Sequence, residues 1–244
     1  MNERQAVRAV ILKKNIFSEG NEIVTMYSRE LGKVRGVARA VKKMQSKLAH
    51  GLQTLFDSQL ELLQSRGKLS IIGARPRNTF KHLRESVRAV NAALFGAEVL
   101  LKSTADEQPN AALFDYFVKF LEHLDAEPAG PHSCWNFFGW QALGLTGYKV
   151  QTAACALCGK ELAFETEFFF SNRKGGFLCA DCAKKTADAK PVRPEIYRAF
   201  ASLAPDDFSA QDHANLPQKE LQALSREFIQ HILERDLKSF RYLV

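Results

Sequence analysis

The chain has 244 residues, 46% of them hydrophobic, and a formal net charge of +7. That is enough apolar material for one large domain or two modest ones, and it excludes a disordered chain. No window approaches ~20 consecutive apolar residues and the opening MNERQAVRAV lacks the apolar core of a signal peptide, so neither a membrane span nor a leader is expected, and a soluble, cytoplasmic protein is.

Five strand-like stretches precede residue 80: AVRAVILKK from Ala6, NEIVTMY from Asn21, GKVRGVARA from Gly32, QTLFDSQLELLQ from Gln53 and LSIIGAR from Leu69. Turn signals at Ser18-Glu19-Gly20-Asn21 and Arg66-Gly67-Lys68 suit hairpins, and the basic stretch from Val41 to Gly51 suits a longer connection. Five short strands in this length predict a small closed barrel of the OB type, although an SH3-like barrel needs a similar count. From Phe80 the spacing turns helical, with Leu83, Val87, Val90, Leu94, Ala97, Leu100 and Leu101 placed on one face. A second helix starts at the N-cap candidate Asn110, with Leu113, Phe114, Phe117, Phe120, Leu121 and Leu124 inward, and a third runs from Ser133 to Leu143. Two more helices are predicted from Pro194 to Leu203 and from Pro217 to Leu237. The fold class is therefore α+β multidomain, a five-stranded barrel followed by an α-helical part. Linkers are expected at STADEQPN, DAEPAGPH, AKKTADAKPVRP and APDDFSAQDHANLP.

Two cysteine pairs, Cys155-Ala-Leu-Cys158 and Cys179-Ala-Asp-Cys182, stand twenty residues apart. Each C-x-x-C closes a knuckle that aims two thiolates at one ion, and two knuckles complete a closed tetrahedral site for one structural Zn²⁺. The stretch between them reads as two strands around an Asn172-to-Gly176 turn, with Gly159 relaxing the first knuckle. A redox pair or two disulfides are the competing readings, but no βαβ alternation surrounds either pair. Lys160, Lys174, Lys184 and Lys185 read as compensation for the thiolate charge, and the fifth cysteine, Cys134, as a buried thiol in a reducing compartment.

The charge has an address. Residues 1–50 hold eleven Lys or Arg against four acids, a surplus equal to that of the whole chain. Alternation along GKVRGVARA projects Lys33, Arg35 and Arg39 from one face, and Lys13, Lys14, Lys42, Lys43 and Lys47 extend the cationic set. A cationic barrel face can track a nucleic-acid backbone; the bland alternative is a solvated edge strand. Phe17 and Tyr27 are candidate stacking platforms, with a core position favoured for Phe17. The six histidines show no ligand spacing, and phosphate-loop, G-x-S-x-G and H-E-x-x-H motifs are absent, so an enzyme is not expected. A metal-dependent nuclease built from dispersed acids stays open.

The segments SEGNEIVTMYSRELGKVRGVARAVKK, QTLFDSQLELL, NFFGWQALGLTGYKVQTAACALCG, GGFLCADC and LKSFRYLV occur in the order of the bacterial RecO family, which the chain resembles over nearly its full length. The resemblance implies an OB-fold nucleic-acid-binding domain at 1–79 and a helical domain at 80–244 with a zinc module at 153–187 inserted. It implies no catalytic turnover. It further implies DNA repair by recombination: binding of single- and double-stranded DNA, annealing of complementary strands, and action with RecR to help RecA replace single-strand-binding protein. Lys33, Arg35 and Arg39 match the family's basic third-strand segment. The acidic tail of single-strand-binding protein is expected on the helical domain, without particular residues, and the protein is expected in the nucleoid. An RNA-binding translation factor with an OB barrel and zinc ribbon is the alternative.

Overall fold

The computed structural model describes residues 3–18, 20–39, 41, 47–65, 67–130, 133–162, 165–202, 208 and 215–243. By compactness the chain divides into two units, one of Met1–Ala129 with Tyr242–Val244 and one of Gly130–Arg241. Strands give way to helices near residue 79, well before that division, because two helices belong to the first unit.

The first unit starts with β1 (Glu3–Ser18), β2 (Asn21–Ser28), β3 (Gly32–Ala38), the short helix α1 (Lys47–Gly51), β4 (Asp57–Ser65) and β5 (Lys68–Asn78). They close into a barrel in the order β1-β2-β3-β5-β4. This is the OB arrangement, and it settles the choice that strand count left open. Inward residues alternate along each strand, with Val7, Ala9, Ile11, Met26, Leu60 and Leu62 in the core. The seam is uneven: β3 and β5 pair in parallel only at Val37–Ser70 and Ala38–Ile71. Where the two strands diverge, a cavity of about 460 Å³ opens between Leu31, Val34, Leu69 and Pro109. Within the basic connection the structure adds a helix, α1, that no sequence signal marks.

Outside the barrel lie α2 (Val87–Ser103) and α3 (Ala111–Ala126). Asn110 caps α3 as expected, its side chain accepting from the Leu113 N–H at 3.0 Å, and all six predicted inward residues are buried. The face of α2 needs correction. Of the expected face Leu83, Ala97 and Leu100 are buried, but Val87 and Leu94 are exposed, and the rest of the buried side is Ala89, Ala92, Ala93, Phe95, Gly96 and Val99. Small residues at i, i+3, i+4 and i+7 let a neighbouring backbone come close, which a search for large apolar side chains misses. Behind β1, Arg8 donates to buried Asp57 from Nε at 3.1 Å and Nη2 at 2.8 Å, and lies over the Phe114 ring of α3.

The second unit holds α4 (Cys134–Leu145), β6 (Phe168–Ser171), β7 (Gly176–Leu178), α5 (Ala180–Ala183), β8 (Lys190–Val192), α6 (Pro194–Ala201) and α7 (Gln218–Leu233). The last helix ends four residues before the expected Leu237, because Glu234 adopts a left-handed conformation with φ of 50°. The two strands expected around the Asn172 turn are β6 and β7, but β8 joins β6 on its other side from within the expected linker AKKTADAKPVRP. Trp140 of α4 centres the core, stacking on Phe228 and lying close to Phe200 and Phe170, with its indole N–H donating to Ser225. Cys134 is fully buried.

Gly32 illustrates how tightly β3 is held. Its φ is +71°, and a Cβ there would meet the Gln108 carbonyl oxygen at 2.0 Å. Gly20, in the β1–β2 turn with φ of +79°, has open space around it. Gly20→Ala should therefore cost only the left-handed backbone penalty of roughly 1–2 kcal/mol, whereas Gly32→Ala adds backbone displacement and should cost about 3–5 kcal/mol. Urea unfolding of the two variants checks this, and equal losses would contradict it.

Candidate metal centre and nucleic-acid interface

The two knuckles are built differently. In the first, the Gly159 N–H returns to the Cys155 carbonyl at 2.9 Å and Gly159 takes a φ of +74°, so the turn closes where a residue without Cβ is needed. The Ala156 N–H donates to the Phe177 carbonyl, which ties this knuckle to β7. In the second, Cys179 precedes α5 and Cys182 sits within it, with the Ala183 N–H donating to the Cys179 carbonyl at 3.0 Å. The Phe residues between the knuckles join the core around Trp140 and Tyr197, and Phe168 stacks on Tyr197 with ring centroids 3.8 Å apart.

The four sulfurs lie within 4.8 Å of one another, and Cys158 Sγ is 3.9 Å from Cys179 Sγ. A tetrahedral ion with metal–sulfur bonds of about 2.3 Å requires sulfur–sulfur edges of about 3.8 Å. A disulfide requires about 2.05 Å, and all four cysteines are free. The donor set therefore fits one closed metal site. Burial pushes the Cys182 thiol up to about 12. Cys155 is also raised by burial, but hydrogen bonds from the Cys158, Cys179 and Leu157 backbone outweigh that and bring it down to about 6. Of the flanking cations, Lys160 pairs with Glu165 and Lys184 with Asp181.

The cationic residues of the barrel separate into distinct roles. Register places Lys13 of β1 opposite Thr25 of β2, and Thr25 opposite Arg35 of β3, so the three form one row across the outer face. Lys13, Arg35 and Arg39 are exposed. Among the described residues, Lys13 and Arg39 have no acidic partner, and Arg35 meets Asp106 at 3.4 Å. Lys14 is half-buried and pairs with Glu22 at 3.5 Å. Lys33 shares the face with Arg35 but is only 8% exposed. Its ammonium donates to the Leu101 and Thr104 carbonyls at the end of α2 and pairs with Asp106 at 3.3 Å. Lys42 and Lys43 lie outside the described residues, as does the side chain of Lys47. Asp106 carries no signal in the sequence: it is an acid in an expected linker, and it faces both Lys33 and Arg35.

The aromatic expectations reverse. Tyr27 is fully buried, stacked on Phe114, and burial pushes its phenol up to about 12. Phe17, expected in the core, is 65% exposed. The reason is a register shift between Ile16 and Ser18 that adds a residue to the end of β1 beyond the barrel core.

Residues 1–80 match the family model described as Recombination protein O N terminal, and residues 84–241 match that described as Recombination protein O C terminal. The chain is similar to a protein named DNA repair protein RecO from Dehalococcoides mccartyi (strain CBDB1), 27% identical over 97% of this chain and 93% of the relative. It is similar to proteins of the same name from Roseiflexus sp. (strain RS-1), 28% identical over 96% and 83%, and from Bacillus cereus (strain AH187), 29% identical over 80% and 77%. No helix among the described residues is long and apolar enough to cross a membrane.

Cys158 is the exposed ligand candidate, so its replacement perturbs packing least. Cys158→Ser should take metal content from one ion per chain towards zero and expose residues 153–187 to protease, with the barrel still folded. Elemental analysis and limited proteolysis read this out; full metal retention would contradict it.

Proposed function

Because the chain belongs to the recombination protein O family, and with it to DNA repair and recombination, we propose that it is a non-catalytic mediator that binds single- and double-stranded DNA and anneals complementary strands. The observation that carries this reading is the outer row of Lys13 and Arg35 with Arg39 beyond it, on a barrel whose residues hold the entire excess charge. Cations on a barrel face hold phosphates and leave bases free. Two strands held this way gain local concentration while their mutual repulsion falls, and pairing needs no nucleotide hydrolysis.

In this reading residues 1–79 form the nucleic-acid-binding domain and 80–244 the helical domain carrying the module at 153–187. Lys14, Lys42, Lys43 and Lys47 extend the phosphate track. Lys33 contributes by placing β3, since its ammonium is already bonded within the unit. The ion is Zn²⁺, held by Cys155, Cys158, Cys179 and Cys182, and its chemistry is structural: four thiolates leave no coordination position for substrate. The partners are RecR, the acidic tail of single-strand-binding protein and, indirectly, RecA, and the setting is the cytoplasmic nucleoid. An RNA-binding role is the rival, and matched DNA and RNA strands separate the two.

Reversing Lys13, Arg35 and Arg39 to Glu should weaken binding to all sequences alike. Each lost phosphate contact should flatten the slope of log affinity against log salt by roughly 0.7 for single strands. Unchanged slope in the folded triple variant would move the site elsewhere. The pure protein should also anneal complementary oligonucleotides without ATP, ever more slowly as salt rises, leaving both strands intact on a sequencing gel. Strands coated with single-strand-binding protein should still anneal, and a tail-deleted coat should block the reaction. Strand cleavage, or an absolute need for ATP, would sink the mediator reading.

A further inference from the structure

The outer face of β1, β2 and β3 is not uniformly charged. By register it is a grid of three rows: Lys13–Thr25–Arg35, then Asn15–Ile23–Val37, then Phe17 beside Asn21 with Arg39 following Ala38. Thr25 is buried, Ile23 and Val37 are half-buried, and Lys13, Arg35, Phe17 and Arg39 stand exposed at the four corners. Strand spacing and rise make this face roughly 10 Å by 13 Å. A single exposed apolar side chain is ordinary on any protein. Here the exposed aromatic ring shares its face with a half-buried apolar centre, and two of the three cations at the other corners have no acidic partner among the described residues.

We infer that this face is a reader of unpaired bases: Phe17 stacks one base of a single strand while Lys13, Arg35 and Arg39 hold phosphates around it. The inference rests on the DNA-binding reading above and adds to it a residue that tells unpaired strands from paired ones. Charge selects the occupant, because three cations and one exposed ring at the corners of a face this small match a polyanion that carries flat apolar groups. Cations alone bind duplex and single strand through the same phosphates, with no reward for an exposed base. In a duplex the bases are stacked on one another, so a ring at a hairpin end reaches one only where pairing is open. Among the described residues, Asp106 lies 3.4 Å from Arg35 at one corner of the grid, while Glu22 pairs with Lys14 and alternates to the other face.

The test compares the full-length wild type with Phe17→Ala and Phe17→Trp, by fluorescence anisotropy on a labelled oligo-dT and on a mixed-sequence duplex. Phe17→Ala should lower affinity for oligo-dT by roughly 5- to 100-fold. It should leave the salt slope, the duplex affinity and the melting temperature as they are. Phe17→Trp should restore binding, and its new indole emission should be quenched by oligo-dT; Trp135 and Trp140 are buried, so the signal is separable. Unchanged oligo-dT affinity in Phe17→Ala, an equal loss on duplex, or an unquenched emission from the introduced indole overturns the inference while DNA binding stands. Loss of binding to an acidic, apolar peptide with oligo-dT affinity intact also overturns it, in favour of a peptide dock. A wild type that binds neither DNA form overturns this inference and the proposed function together.

Discussion

The position of β3 depends on a buried lysine. Lys33 sends its ammonium to the carbonyl end of α2, where the unsatisfied carbonyls of the last turn carry partial negative charge, and Asp106 supplies a full one. A charge this enclosed is stable only when bonded on all sides, and losing one partner would leave the rest uncompensated. One residue earlier the backbone of Gly32 touches that of Gln108, so β3 is gripped through both side chain and main chain. Arg35 follows on the same strand, and Arg39 comes directly after its end. Their placement on the outer face is inherited from an anchor that is largely shielded from solvent.

The second unit has a different logic. Its small sheet would be too short to hold itself, since strands of three or four residues bury little on their own. It is fixed from one side by an aromatic cluster around Trp140 and from the other by the two cysteine knuckles, the first of which hydrogen-bonds directly to β7. Asp188 adds a third hold: it accepts from the Ser171 hydroxyl and the Arg173 N–H across the β6–β7 turn. Burial would raise its carboxyl, but those hydrogen bonds outweigh it and keep it below the usual carboxylate range, so this hold persists at neutral pH and is released only in strong acid.

Much of this architecture is legible in the sequence because it follows local rules. Alternation marks the strands, cysteine spacing marks the cluster, and Asn110 announces a helix start. The same rules fail where a second layer intervenes. Alternation puts Lys33 and Arg35 on one face correctly, but it is silent about what covers that face, and the segment after α2 covers Lys33 and leaves Arg35 in the open. Part of the α2 stripe escapes a search for large apolar residues because Ala89, Ala92, Ala93 and Gly96 share the packing with Phe95, Val99 and Leu100. Phe17 escapes because one extra residue in β1 lies outside strict period-two counting, and β8 is hidden in a segment rich in Lys and Pro that reads as a linker.

The divergence of β3 from β5 leaves part of β3 without a strand neighbour on that side, and the residues after α2 take the place. Lys33 bridges to Asp106 in parallel fashion, and the Glu107 N–H donates to the Lys33 carbonyl at 2.9 Å. An uncovered stretch of this kind is a template on which a strand of another molecule can pair, the usual route to edge-to-edge aggregation. The segment therefore acts as a guard rail: it keeps an incompletely zipped barrel from recruiting copies of itself, with no strand of its own added to the sheet.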